Sequence, residues 1–171
     1  MRTVTFFIFL LVSSIFGFSQ TLYDWNTTYS SLAYPYSIAI PKSFVKTTAT
    51  GRHIDSKFVD DYGSSILVNV TERVPEERGI TAHDYSKEML LESYRAATPN
   101  VKITRAEKIY VDHQKAFLIE CSGGVSASLM QMECYIYYKE FANVLTATAP
   151  IVSFGDYRGL FETAIKSMEF R

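Results

Sequence analysis

Residues 101–150 read VKITRAEKIYVDHQKAFLIECSGGVSASLMQMECYIYYKEFANVLTATAP, and four strand-like runs with turn signals between them fill this stretch. The runs cover 101–111, 115–122, 128–138 and 143–149. Apolar side chains recur at every second position, the period of a strand with one buried face. Asp112-His113 and Gly123-Gly124 supply turns, and Pro150 closes the last run because proline has no ladder donor. Strands joined by such short turns pair as antiparallel neighbours.

Downstream, Tyr157, Leu160, Phe161, Ala164, Ile165 and Met168 fall at helical spacing, with Ser153 as the expected cap and Asp156 three residues on. Their stripe is wide enough to dock on a sheet. Upstream, a second helix is expected from the Thr81/Asp84 capping pair to Pro99-Asn100, with Tyr85, Met89 and Leu90 on its apolar side. Further back, Tyr36, Ile38 and Ile40 alternate with Ser37 and Ala39 up to Pro41. Residues 57–61 and 66–74 form a hairpin about Tyr62-Gly63-Ser64-Ser65, followed by a charged loop at 75–79. Short strands, hairpin turns and only two helices define an α+β fold on an antiparallel sheet. The strand–helix alternation of a doubly wound parallel fold is missing.

The first 19 residues differ from the rest. Met1-Arg2 precedes an apolar run from Val4 to Val12, and small residues stand at Gly17 and Ser19. A basic start, a short apolar core and small residues at the end make a secretory signal peptide cleaved before Gln20. The run is too short, and too broken by serines, for the roughly 20 apolar residues of a membrane span. The chain therefore divides into a signal peptide (1–19), an aperiodic N-terminal arm (20–34) and an α+β domain (35–171), and the expected location is periplasmic or extracellular. Cleavage leaves 152 of the 171 residues, with 16 basic and 18 acidic side chains where the full chain has 17 and 18. Such a balance offers no basic stripe for nucleic acid. A chain of this size buries enough surface to fold without a metal or a disulfide.

Three stretches carry a resemblance to a known fold group. Residues 36–44, Tyr-Ser-Ile-Ala-Ile-Pro-Lys-Ser-Phe, resemble the strand-then-proline opening of the PsbP family and its DcrB-like and Mog-type relatives. The hairpin containing residues 65–71 is similar to theirs. So is the ending from Val144 through Pro150 and Phe154 into a helix that runs to Phe170. The resemblance implies a three-layer α/β/α sandwich with a central antiparallel sheet. It also implies binding rather than catalysis, since the group shares no catalytic motif that maps onto this chain.

Few residues carry a chemical signature of their own. His53, Asp55, Asp60 and Asp61 lie close together around the first hairpin and could hold a divalent cation, although a solvated polar turn has the same composition. His83 and His113 stand alone, and Gly123-Gly124 lacks the lysine and spacing of a phosphate loop. No nucleophile motif surrounds Ser64-Ser65 or Ser126 and Ser128. These absences leave no catalytic residue and no cofactor to assign. Phe117, Ile119 and Cys121 share one strand face, and Met130, Met132, Cys134 and Ile136 share one face of the next. The two thiols are therefore expected to point at one core. A register in which paired positions sum to 255 would oppose them for a disulfide, and one summing to 247 would separate them as buried free thiols. Tyr135 and Tyr137 alternate with that face, so they form either an exposed aromatic strip for a contact or a surface covered by the first helix through Tyr85 and Met89.

The expected function is thus an exported, non-catalytic binding module for a protein or small molecule, with no membrane span after cleavage. A structural or assembly factor of an envelope complex is the first alternative. An envelope hydrolase with a site built from separated residues is the second, and it requires a histidine beside a nucleophile in a pocket.

Overall fold

In a computed structural model, residues 25–123 and 126–171 are described; the expected signal peptide lies outside them. Ten strands and two helices follow in the order β1 (Trp25–Ser30), β2 (Tyr36–Pro41), β3 (Val45–Thr47), β4 (Ile54–Val59), β5 (Ser65–Glu72), α1 (Lys87–Ala97), β6 (Lys102–Val111), β7 (Gln114–Gly123), β8 (Ser126–Tyr138), β9 (Phe141–Pro150), α2 (Phe154–Lys166) and β10 (Glu169–Phe170). Seven strands form one antiparallel sheet in the order β3-β4-β5-β9-β8-β7-β6, and β1-β2-β10 form a smaller one. The fold is α+β, as the strand-and-turn pattern implies.

The tight hairpins follow from backbone conformation. Asp112 and His113 both take positive φ, 46° and 62°, the left-handed pair that lets a two-residue turn match strand twist. Gly123 is needed at the end of β7, where φ is +82° and a Cβ would stand 2.7 Å from the Asn100 carbonyl oxygen.

The larger core occupies one face of the seven-stranded sheet. Ile66, Val68, Leu118, Met132, Ile136 and Leu145 meet Leu160, Phe161, Ala164, Ile165 and Met168 of α2, together with Tyr36, Ile38 and Ile40 of β2. On the opposite face α1 covers β6–β8, where Tyr94 packs on Phe117, Ile119 and Cys121. The three layers are therefore α1, the large sheet, and α2 with the small sheet beside it.

Three local expectations are corrected. Trp25–Ser30 is no loose arm: it forms β1, antiparallel to β2. Thr81 and Asp84 are in contact, with Thr81 N–H and Oγ1 both donating to Asp84 Oδ2 at 2.5 and 2.7 Å, but Asp84 N–H donates to the Thr81 carbonyl and the contact closes a turn. The helix starts only at Lys87, where Ser86 Oγ accepts from Met89 N–H at 3.1 Å. Ser153 precedes α2 without a side-chain cap; its hydroxyl donates instead to the Pro150 carbonyl at 3.3 Å.

Candidate functional site

The register of β7 on β8 organises the site. Ala116 pairs with Ile136, Leu118 with Cys134 and Cys121 with Gln131, so paired positions sum to 252 until a bulge near Ser122. An even sum places residues of equal parity on the same face. Cys134 therefore joins Met132 and Ile136 in the α2 core, while Cys121 lies on the α1 side with Phe117 and Ile119. The expectation of two thiols in one core is corrected, and both cysteines are free. A bridge between them would have to pass through the sheet, which disulfide geometry forbids. Burial pushes the Cys134 thiol up to about 12, and burial also raises Cys121 despite an opposing hydrogen bond from Tyr94.

The same parity brings Tyr135 and Tyr137 over to Phe117 and Ile119. These four side chains make the floor of an apolar groove, and Leu90 and Tyr94 of α1 make its wall. The small Ala82, Ser93 and Ala97 leave space above that floor, a cavity of about 210 Å³. Tyr94 and Tyr135 meet edge to face, with ring centroids 6.4 Å apart. Helical spacing turns Leu90, Leu91 and Tyr94 towards the sheet, whereas Met89 is exposed. Met89 therefore takes no part in the expected cover, which comes from Leu90, Leu91 and Tyr94 with the half-buried Tyr85 near Tyr137, and it is incomplete.

The loop before α1 is pinned so that Ala82 is buried at the groove. His83 Nε2 lies 3.1 Å from the carbonyl oxygens of both Ile109 and Ala116, and a protonated Nε2 donates to the pair. Arg73 is 7% exposed; its guanidinium lies 4.4 Å from the Tyr137 ring centre and donates to the carbonyls of Glu77 and, at 2.9 Å, Ile80. Both side chains hold a loop rather than a reacting group.

Polar groups collect at one end of the groove. Tyr135 Oη donates to Glu133 Oε2 at 2.6 Å, and Tyr94 Oη lies 3.2 Å from Cys121 Sγ. Burial raises the phenol pKa of Tyr94, with the Cys121 contact and the Glu133 charge adding to it. Burial raises Tyr135 as well, and Glu133 reinforces the shift. These hydroxyls stay protonated and act as donors.

The candidate cation site does not assemble. His53 is exposed at φ 76°, and its carbonyl accepts from Val70 N–H at 2.8 Å. Asp55 accepts from the hydroxyls of Tyr29, at 3.4 Å, and Tyr36. Asp60 is consumed by its own turn, accepting from Tyr62 N–H and Ser64 N–H at 2.9 and 2.8 Å and from Tyr157 Oη at 2.6 Å. Asp61 is exposed. Among the described residues no three His, Cys, Asp or Glu side chains come together to hold a metal. None of the three histidines lines the groove.

The solved structures most informative for comparison share the fold. Cyanobacterial PsbP (CyanoP) from Synechocystis is 15% identical, with a TM-score of 0.65 over 85% of this chain and 92% of that one. The Ran-binding protein Mog1p of Saccharomyces cerevisiae is 8% identical, with a TM-score of 0.56 over 85% and 95%. LpqN of Mycobacterium tuberculosis, described as involved in cell envelope biogenesis, is 11% identical, with a TM-score of 0.55 over 78% and 82%. The chain thus has the fold of the PsbP and Mog-type group. No family model and no curated protein matches the sequence.

Phe117 and Ile119 are groove residues that alternation alone assigns to the main core, and the parity of the β7–β8 register is the missing signal. Arg73 carries no motif, and Glu133, although alternation puts it on the face of Tyr135 and Tyr137, carries no signal of a role in the sequence.

Proposed function

We propose that this chain is an exported, non-catalytic binding module whose groove between α1 and the sheet receives an apolar group. The observation that carries the reading is the aromatic-floored cavity of about 210 Å³ bounded by Leu90, Tyr94, Phe117, Ile119, Tyr135 and Tyr137. Apolar concavities with a few placed polar groups are the usual form of a ligand site. Export is supported by the pattern of residues 1–19, and the likeness in fold to a protein involved in cell envelope biogenesis agrees with it. Among the described residues no helix is long and apolar enough to cross a membrane. Binding without catalysis is supported by the commitment of His83 Nε2 to two backbone carbonyls.

Two measurements test this. The full chain, produced in a Gram-negative host, should be recovered from the periplasm with an intact mass beginning at Gln20; retention of residues 1–19 would refute export. Titration with indole, a neutral planar probe, should shift NMR signals of α1, β7 and β8. Ser93→Trp, which fills the groove from an exposed helix position, should abolish those shifts while thermal unfolding stays cooperative. Absence of any shift in the unsubstituted chain would sink the groove.

A further inference from the structure

Glu133 gives the groove a direction. Along β8, residues 133, 135 and 137 share one face. Glu133 pairs across to Ile119, a floor residue, and accepts the hydroxyl of Tyr135, another. Its side chain is half-buried, and the ion pairs among the described residues leave it out. A carboxylate has about four acceptor positions, so the hydroxyls of Tyr135 and Tyr94, both of which act on Glu133, do not saturate it. A charge taken partly out of water is normally compensated by an opposite charge or by several donors. Glu133 is not itself a lining residue; the hydroxyl of Tyr135, which does line the cavity, holds the carboxylate at its margin. The far end differs: the Arg73 guanidinium is stacked on Tyr137 and engaged with two main-chain carbonyls, so it is less available to a ligand.

We infer that the groove takes a small amphipathic amine, its apolar body lying over Phe117, Ile119 and the two tyrosines and its ammonium group donating to Glu133. This rests on the groove reading above and adds the chemistry of the head group. Charge-assisted hydrogen bonds of the N⁺–H···O⁻ kind are roughly twice as strong as neutral ones. Selectivity should therefore show as a preference among heads on a constant body.

The test compares 2-phenylethylamine, 2-phenylethanol and phenylacetate by calorimetric titration at pH 7 against the full mature chain. The amine should bind about tenfold more tightly than the alcohol, and the carboxylate most weakly. In Glu133→Gln the amine and the alcohol should bind alike, with thermal unfolding reporting that the variant is folded. The ranking in the unsubstituted chain stands without the variant. Equal binding of all three compounds would overturn the head-group inference while leaving the groove intact. Preference for phenylacetate would overturn it in favour of the Arg73 end. Binding of none, together with silence towards indole, would remove the groove reading itself.

Discussion

Tyr36 is 1% exposed and its hydroxyl is shared between Asp55 and, at 2.9 Å, Ser56. Burial, then the Asp55 hydrogen bond, drives its phenol pKa far above the usual value, and burial does the same for Tyr94 and Tyr135. A raised pKa means that the folded state holds its protons more tightly than the unfolded chain. The stabilisation is therefore complete below the ordinary tyrosine value of about 10 and is lost as pH rises above it. Denaturant unfolding followed between pH 7 and 11 should show a plateau and then a fall beginning near 10, and Tyr36→Phe should make that fall shallower. An unchanged profile would mean that these phenols ionise freely. The cysteines give a second residue-scale test. Neither thiol should react with an alkylating reagent in the native protein at pH 8, and both should react in denaturant, adding two labels to the intact mass; one label or none would indicate oxidation. Alternation within each strand was legible in the sequence, so the faces of Phe117–Cys121 and of Met132–Ile136 were each read correctly. Which faces coincide was not legible, because a change of one in the paired sum, set inside the 123–126 connection, exchanges every partner.

Elements were legible in proportion to their periodicity. The α2 stripe was readable because six apolar positions repeat at helical spacing, and five of them are buried. The α1 start was not: Thr81 and Asp84 satisfy the local signature, but His83 and Arg73 tie residues 73–83 to strands and carbonyls and delay the helix to Lys87. β1 was missed since Trp25–Ser30 has no alternation to read; its strand character comes from pairing with β2. These differences set an order of severity. Phe161 packs against Phe44, Phe154 and Tyr157 at the centre of the larger core. Phe161→Ala should cost about 3–5 kcal/mol, whereas Ser86→Ala, which removes one exposed cap, should cost about 0.5–2 kcal/mol. Equilibrium urea unfolding of both variants checks the order, and a larger loss for Ser86→Ala would mean that α1 rather than α2 anchors the sheet.

At the scale of the whole molecule, the sheet divides two unequal cores. The α2 side is continuous across both sheets, whereas the α1 side rests on five buried residues, Ala82, Tyr94, Phe117, Ile119 and Cys121. Fully burying a large apolar side chain contributes roughly 1.5–3 kcal/mol, so the layer held by fewer of them opens at lower cost. The amides of α1 should consequently exchange with solvent through a local opening, well before those of β7–β9 and α2, which should exchange only on global unfolding. This asymmetry suits a binding module: the wall of the groove is the part of the fold that can yield without disturbing the rest. An apolar guest between Tyr94 and the aromatic floor would replace missing contacts there, and linkage requires it to stabilise whatever state it binds. Saturating indole should accordingly slow exchange throughout α1 and leave the α2 amides unaffected. Uniform exchange across both helices would show one cooperative core, and protection of α2 in place of α1 would put the guest on the other face of the sheet.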